Sequence, residues 1–159
     1  MKHTHDLVIN IAFFVFLIIM IYLNSSSLLT NNLDFSISIL AITISLMLLL
    51  FENTTVLDIA HFLYCFVYLF SVTFLSKNQF LLALNILMIS IVIFTRYYFN
   101  GCILNEKQKN TGFFVDLNSI IKKYIVFLNW DYIFPLLLVV STIRLIKLRN
   151  ITEIIIEAN

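Results

Sequence analysis

The sequence predicts an all-α integral membrane protein: a bundle of about five transmembrane helices with an interfacial amphipathic helix. Three observations carry this. Of 159 residues, 61% are hydrophobic and 12% are charged, with a mean hydropathy of +0.99, so too little polar surface exists to cover a soluble globule of this size. The apolar residues gather into runs separated by short polar breaks, each run close to the ~20 residues that cross a bilayer as a helix. Glycine occurs twice and proline once, so few residues break a helix within these runs, and packing is expected to rest on large side chains.

The chain reads as one membrane domain over 1–159, with crossings at about 7–23, 35–51, 56–75, 80–99 and 126–146. The first run follows Lys2, His3, His5 and Asp6. It reads as a helix rather than a signal peptide because it exceeds an ordinary signal core and Asn24-Ser25-Ser26-Ser27 makes a poor cleavage site. The second run is closed by Glu52-Asn53-Thr54-Thr55, and the third carries Asp58 and His61 near its start. Ser76-Lys77-Asn78-Gln79 is a tight polar turn into the fourth, which holds Asn85 and, near its end, Arg96. A longer polar loop follows.

From Phe113, the residues Leu117, Ile120, Ile121, Tyr124 and Leu128 recur at three- and four-residue steps opposite Asp116, Ser119, Lys122 and Lys123. This pattern predicts the interfacial helix, at about 113–125. The fifth run holds Pro135 and Arg144 and is just long enough to cross. The tail over 147–159 intersperses Ile151, Ile154, Ile155 and Ile156 with charges, which predicts a segment lying on the membrane or on a partner.

With five crossings, Lys2, Arg96, Lys107, Lys109, Lys122 and Lys123 fall on one side, called side A. Lys77, Arg144, Lys147 and Arg149 fall on side B. The excess makes A the cytoplasmic or matrix-like side. If the last run instead dips in and returns, Lys77 alone is left on side B, and four helices cross.

The short turn at Lys77-Asn78 makes the third and fourth runs an antiparallel hairpin, in which residues at equal depth have numbers summing to about 155. Asp58 is then level with Tyr97 and His61 with Phe94, with Arg96 between them. An Asp58–Arg96 ion pair follows, and Asp58, His61 and Arg96 form the candidate intramembrane polar cluster. Two further roles are open to this cluster: a proton or ion path, since a histidine titrates near neutral pH, and capture of a lipid headgroup or a partner's charge. Asp58, His61, Cys65, Tyr68 and Val72 share one stripe of the third helix. Asn85 and Arg96, about three turns apart, share a face of the fourth.

Glu52, Cys102, Glu106 and Asp131 form a candidate polar rim on side A. By the same depth arithmetic Cys65 and Cys102 lie about twelve residues of helix apart, roughly 18 Å, too far for a thiol relay.

Several chemistries lack their residues. No metal site is predicted, because no Cys/His cluster has zinc spacing and His61, the only histidine within a membrane segment, cannot ligate a haem twice. No glycine-rich phosphate loop is present, no cofactor is predicted, and a net charge of +1 without a basic tract sets nucleic acid aside as a partner.

Asp58-x-x-His61, Arg96 and the stretch Asn100-Gly101-Cys102-Ile103-Leu104-Asn105-Glu106 resemble a pattern in small uncharacterised polytopic membrane proteins. In these a helix-borne His precedes a Cys-x-Leu-x-x-Glu-like segment after the next helix. The likeness covers about fifty residues. It departs at Ile103, where bacterial members tend to have Pro, and the acid is shifted by one. The resemblance implies that His61, Arg96, Cys102 and Glu106 belong to one cluster.

The function these readings predict is a non-catalytic integral membrane subunit that packs against other membrane protein subunits in the lipid bilayer. The bias toward Ile, Phe, Asn, Tyr and Lys is that of an AT-rich genome, which points to an organellar or viral membrane. The alternative is a small proton or ion channel or transporter using Asp58, His61 and Arg96. A membrane enzyme pairing His61 with Cys102 comes third.

Overall fold

The computed structural model describes residues 2–99, 102, 104 and 130–157. Among these, every regular element is helical and no strand occurs. The helices are α1 (Lys2–Ser25), α2 (Asn32–Leu50), α3 (Thr54–Leu75), α4 (Gln79–Phe99) and α5 (Trp130–Glu157). Within α1 to α4, stretches of 19, 19, 22 and 21 residues are long and apolar enough to cross a membrane. The predicted interfacial helix at 113–125 lies outside the described residues.

Local side chains set the helix boundaries. Asn31 caps α2, its Oδ1 accepting from the Leu33 amide at 3.1 Å, and Asn53 caps α3 by accepting from the amides of Thr55 (2.9 Å) and Val56 (3.4 Å). The α3–α4 turn is stitched by four hydrogen bonds. Ser76 Oγ accepts from the Asn78 amide at 3.1 Å; Asn78 Oδ1 accepts from the amides of Phe80 (2.9 Å) and Leu81 (3.2 Å); Asn78 Nδ2 donates to the Leu28 carbonyl at 2.8 Å. That last bond ties the α3–α4 turn to the α1–α2 connection. Ser27, just past α1, holds φ at 56°, the left-handed conformation that commonly ends a helix and that glycine adopts at least cost.

One expectation changes at α5: the fifth run and the tail, read from sequence as separate segments, share one helix of 28 residues, Trp130–Glu157. Asp131 at the start of α5 bonds Arg96 near the end of α4, while Arg144 bonds carbonyls at the end of α3. A helix anchored at both places runs the length of the bundle. Pro135 is accommodated close to its start, where it deprives the Asp131 carbonyl of a helical donor.

The architecture is an up-and-down bundle with α3 at its centre. Helix α1 pairs with α2, α2 with α3, and α4 with α5, while the C-terminal part of α3 packs on both α4 and α5. Half of the apolar stretch of α3 is buried, against 28% of that of α1. Large side chains do much of the joining, as expected: Phe13 and Phe16 of α1 meet Tyr64 and Tyr68 of α3 edge-on, with ring centroids 5.3 and 5.4 Å apart. Small residues contribute as well. Ser38, Ala41 and Ser45 form a fully buried strip on α2, the kind of surface that lets helices approach closely where no water drives them together.

Candidate functional site

Asp58, His61, Cys65, Tyr68 and Val72 share the buried face of α3 that sequence periodicity assigns to them. Across the middle of this stripe, Leu63–Tyr68 is π-helical, and the Leu69 amide bonds the carbonyl of Tyr64, five residues back. A π segment inserts an extra residue into a turn and re-aims the side chains around it. Here it directs Tyr64, Cys65 and Tyr68 all inward.

His61 is 2% exposed and its Nε2 lies 3.5 Å from the Sγ of half-buried Cys102. Cys65, one turn further along α3, adjoins the same imidazole. Both cysteines are thiols. The expected separation of the two sulfurs is therefore wrong, for a physical reason. Depth matching extends α4 as a straight rod, whereas Cys102 lies at the level of His61. Leu104 follows it into the interior and is buried, lining a small pocket with Phe13, Tyr64 and Thr95.

Arg96 takes a different acid from the one depth matching assigns to it. Its Nη2 and Nε donate to Asp131 Oδ1 at 2.5 and 3.2 Å. The pair is uneven, the arginine side chain being 13% exposed and the aspartate 55%. The guanidinium also lies 5.7 Å from the ring centre of Phe134. That ring stacks on Trp130 at 5.1 Å, and Trp130 meets Phe66 of the π segment edge-on at 4.8 Å. The start of α5 is thereby fixed to α3 and α4 together. The sequence reading places Arg96 and Asp58 by depth alone; the rotation of α4 turns Arg96 toward α5. Asp58 itself is buried at the start of the stripe.

Of the predicted side-A rim, Cys102, Asp131 and exposed Glu52 lie at this same end of the bundle, and Glu106 lies outside the described residues. Among the described residues, no group of three His, Cys, Asp or Glu is placed to hold a metal ion.

The opposite end holds polar residues that the sequence reading did not connect. Thr73, Asn85 and Ser141 are fully buried and bond one another across three helices. Asn85 Nδ2 donates to Thr73 Oγ1 at 2.9 Å and to Ser141 Oγ at 3.2 Å, and the two hydroxyls are 3.0 Å apart. Asn85 and Arg96 thus both face α5, in keeping with their shared stripe. Arg144 donates to the carbonyls of Val72, Thr73 and Ser76, a cation placed on orphan carbonyls at a helix C-terminus. Depth matching could have found the Thr73–Asn85 contact, since the numbers sum close to 155. Asp34 was missed too. It is buried in the first turn of α2, where the helix dipole favours an anion, and its Oδ1 has no hydrogen-bond partner.

Among the described residues, the fold and site define an all-helical protein with four helices long and apolar enough to cross a membrane and a thiol–imidazole contact at one end. No protein-family description, curated protein or solved structure matches the chain.

Proposed function

We propose that this chain is a multi-pass integral membrane protein that crosses the bilayer five times and serves as a non-catalytic packing subunit of a larger membrane assembly, in an organellar or viral membrane. The observation that carries the reading is the outward face of α1. Leu7, Ile11, Phe14, Val15, Ile18 and Ile21 are all exposed, a contiguous apolar stripe that lipid or another membrane helix would cover. Helix α5 adds exposed Ile143, Ile146 and Ile151 on its outward side, while Leu145 and Leu148 pack on the core.

The polar groups support the same reading. Arg144 is occupied by carbonyls, Arg96 by Asp131, and Asn85 by two hydroxyls, so each stitches one helix to another. A proton or ion path through Asp58, His61 and Arg96, the alternative, loses its cation to that stitching. Purification from the native membrane in mild detergent, with mass spectrometry of everything that co-elutes, tests the proposal. One or more membrane proteins at fixed stoichiometry are expected. Elution as a stable monomer would overturn the subunit reading and move attention to transport.

A further inference from the structure

Two features invite a use besides packing, a contact at one end of the bundle and a groove that runs toward it and includes Ile11 and Val15 of the outward α1 face. The first is the Cys102–His61 contact: a half-buried thiol 3.5 Å from the Nε2 of a buried imidazole. An imidazole so placed takes the proton of a thiol and leaves a nucleophilic thiolate. The second is an apolar groove of about 370 Å³ between α1 and α4, with Ile11, Val15, Leu84 and Leu87 in its walls. Along Val8, Ala12, Met88 and Ile91 it shares its lining with the small pocket that reaches Tyr64, three residues after His61, and Leu104, two residues after Cys102. No polar side chain lines the groove itself. A headgroup or an irregular peptide backbone there would leave polar groups unsatisfied, whereas a methylene chain would not.

We propose that Cys102 is a self-acylating site: it accepts a long-chain fatty acyl group from an acyl thioester, with His61 as the base, and the attached chain lies in the α1–α4 groove. The position suits this. Cys102 stands three residues past the end of apolar α4, and juxtamembrane cysteines are common sites of S-acylation. In the transfer, His61 Nε2 takes the Cys102 proton and the sulfur attacks the thioester carbonyl. The new carbon–sulfur bond forms as the bond to the leaving thiol breaks, and the proton passes from the imidazolium to the departing thiolate. One thioester is exchanged for another without any oxidant. The modification is stoichiometric, so it is compatible with a subunit that turns nothing over, and it requires no partner chain.

The test uses the full chain in phosphatidylcholine nanodiscs, incubated with the coenzyme A thioester of alkyne-tagged palmitate and read by intact mass and peptide mapping. One acyl group per chain is expected, on Cys102, removable by neutral hydroxylamine. His61→Gln should slow the transfer by roughly a hundredfold, the usual order for loss of a general base, while a small maleimide still alkylates Cys102; that second readout separates loss of the base from loss of the fold. Ala12→Trp, which fills the groove, should lower the ratio of palmitoyl to acetyl transfer by about tenfold. The site is overturned by a chain that gains no acyl group whether or not maleimide reaches Cys102, by acylation at Cys65, or by an unchanged rate in His61→Gln. An unchanged chain-length ratio in Ala12→Trp overturns the groove as the place of the chain.

Discussion

At the end of the bundle marked by the α3–α4 turn, Thr73, Ser76, Asn78, Asn85, Ser141 and Arg144 bond one another or nearby carbonyls. At the opposite end His61, Cys102, Arg96 and Asp131 make two contacts between groups that can change charge or react. The first set consists of neutral hydroxyls and amides and one arginine on backbone, and nothing in it titrates near neutrality. The second contains an imidazole, a thiol and an exposed carboxylate. Within one small apolar protein, then, one end is built to hold helices together and the other keeps chemically adaptable groups in contact. Position alone does not tell these uses apart; the identity of each partner does.

Substitutions can break this contrast, and the largest effect belongs to Arg144. Arg144→Ala strips a charged donor from three carbonyls and is expected to destabilise the fold by about 2–3 kcal/mol, read from unfolding in mixed micelles followed by circular dichroism. Asn85→Leu comes next. It removes two interhelical bonds at the modest value such bonds have in membrane proteins, about 1 kcal/mol in total. Asp131→Asn at the other end should cost less than about 1 kcal/mol, because the carboxylate is exposed and the pair is screened. Its effect should shrink as salt is raised, whereas that of Arg144→Ala should not. Smallest is Ser27→Gly, which relieves a left-handed serine and should raise stability by about 0.5 kcal/mol. If Asp131→Asn proved as damaging as Arg144→Ala, the contrast between the two ends would be lost.

Much of the frame was legible in the sequence because apolar run length and polar punctuation report helices directly. The boundaries of α3 and α4 fall within two residues of the predicted 56–75 and 80–99, and the Asp58-to-Val72 stripe is buried as its spacing requires. What was not legible depended on rotation and on the placement of Cys102. Which way Arg96 points depends on how α4 is rolled against α5, and periodicity within one helix carries no information on its neighbour. Cys102 lies beside His61, a placement that depth arithmetic on straight rods excludes by construction. The resemblance to small polytopic proteins did group His61 with Cys102, and the 3.5 Å contact agrees with that grouping. It also grouped Arg96 and Glu106: Arg96 instead engages Asp131, and Glu106 lies outside the described residues. The π segment at Leu63–Tyr68 has no sequence signal that separates it from ordinary helix.

The most direct test of the account places the two ends on opposite faces of a membrane. In a background of Cys65→Ser and Cys102→Ser, single cysteines are introduced at the exposed positions Ser27, Glu52, Lys77 and Asn150. Each variant is then labelled in sealed vesicles with a membrane-impermeant maleimide. A five-crossing bundle predicts that positions 27, 77 and 150 react from one side and position 52 from the other only. Labelling of all four from the same side would contradict it.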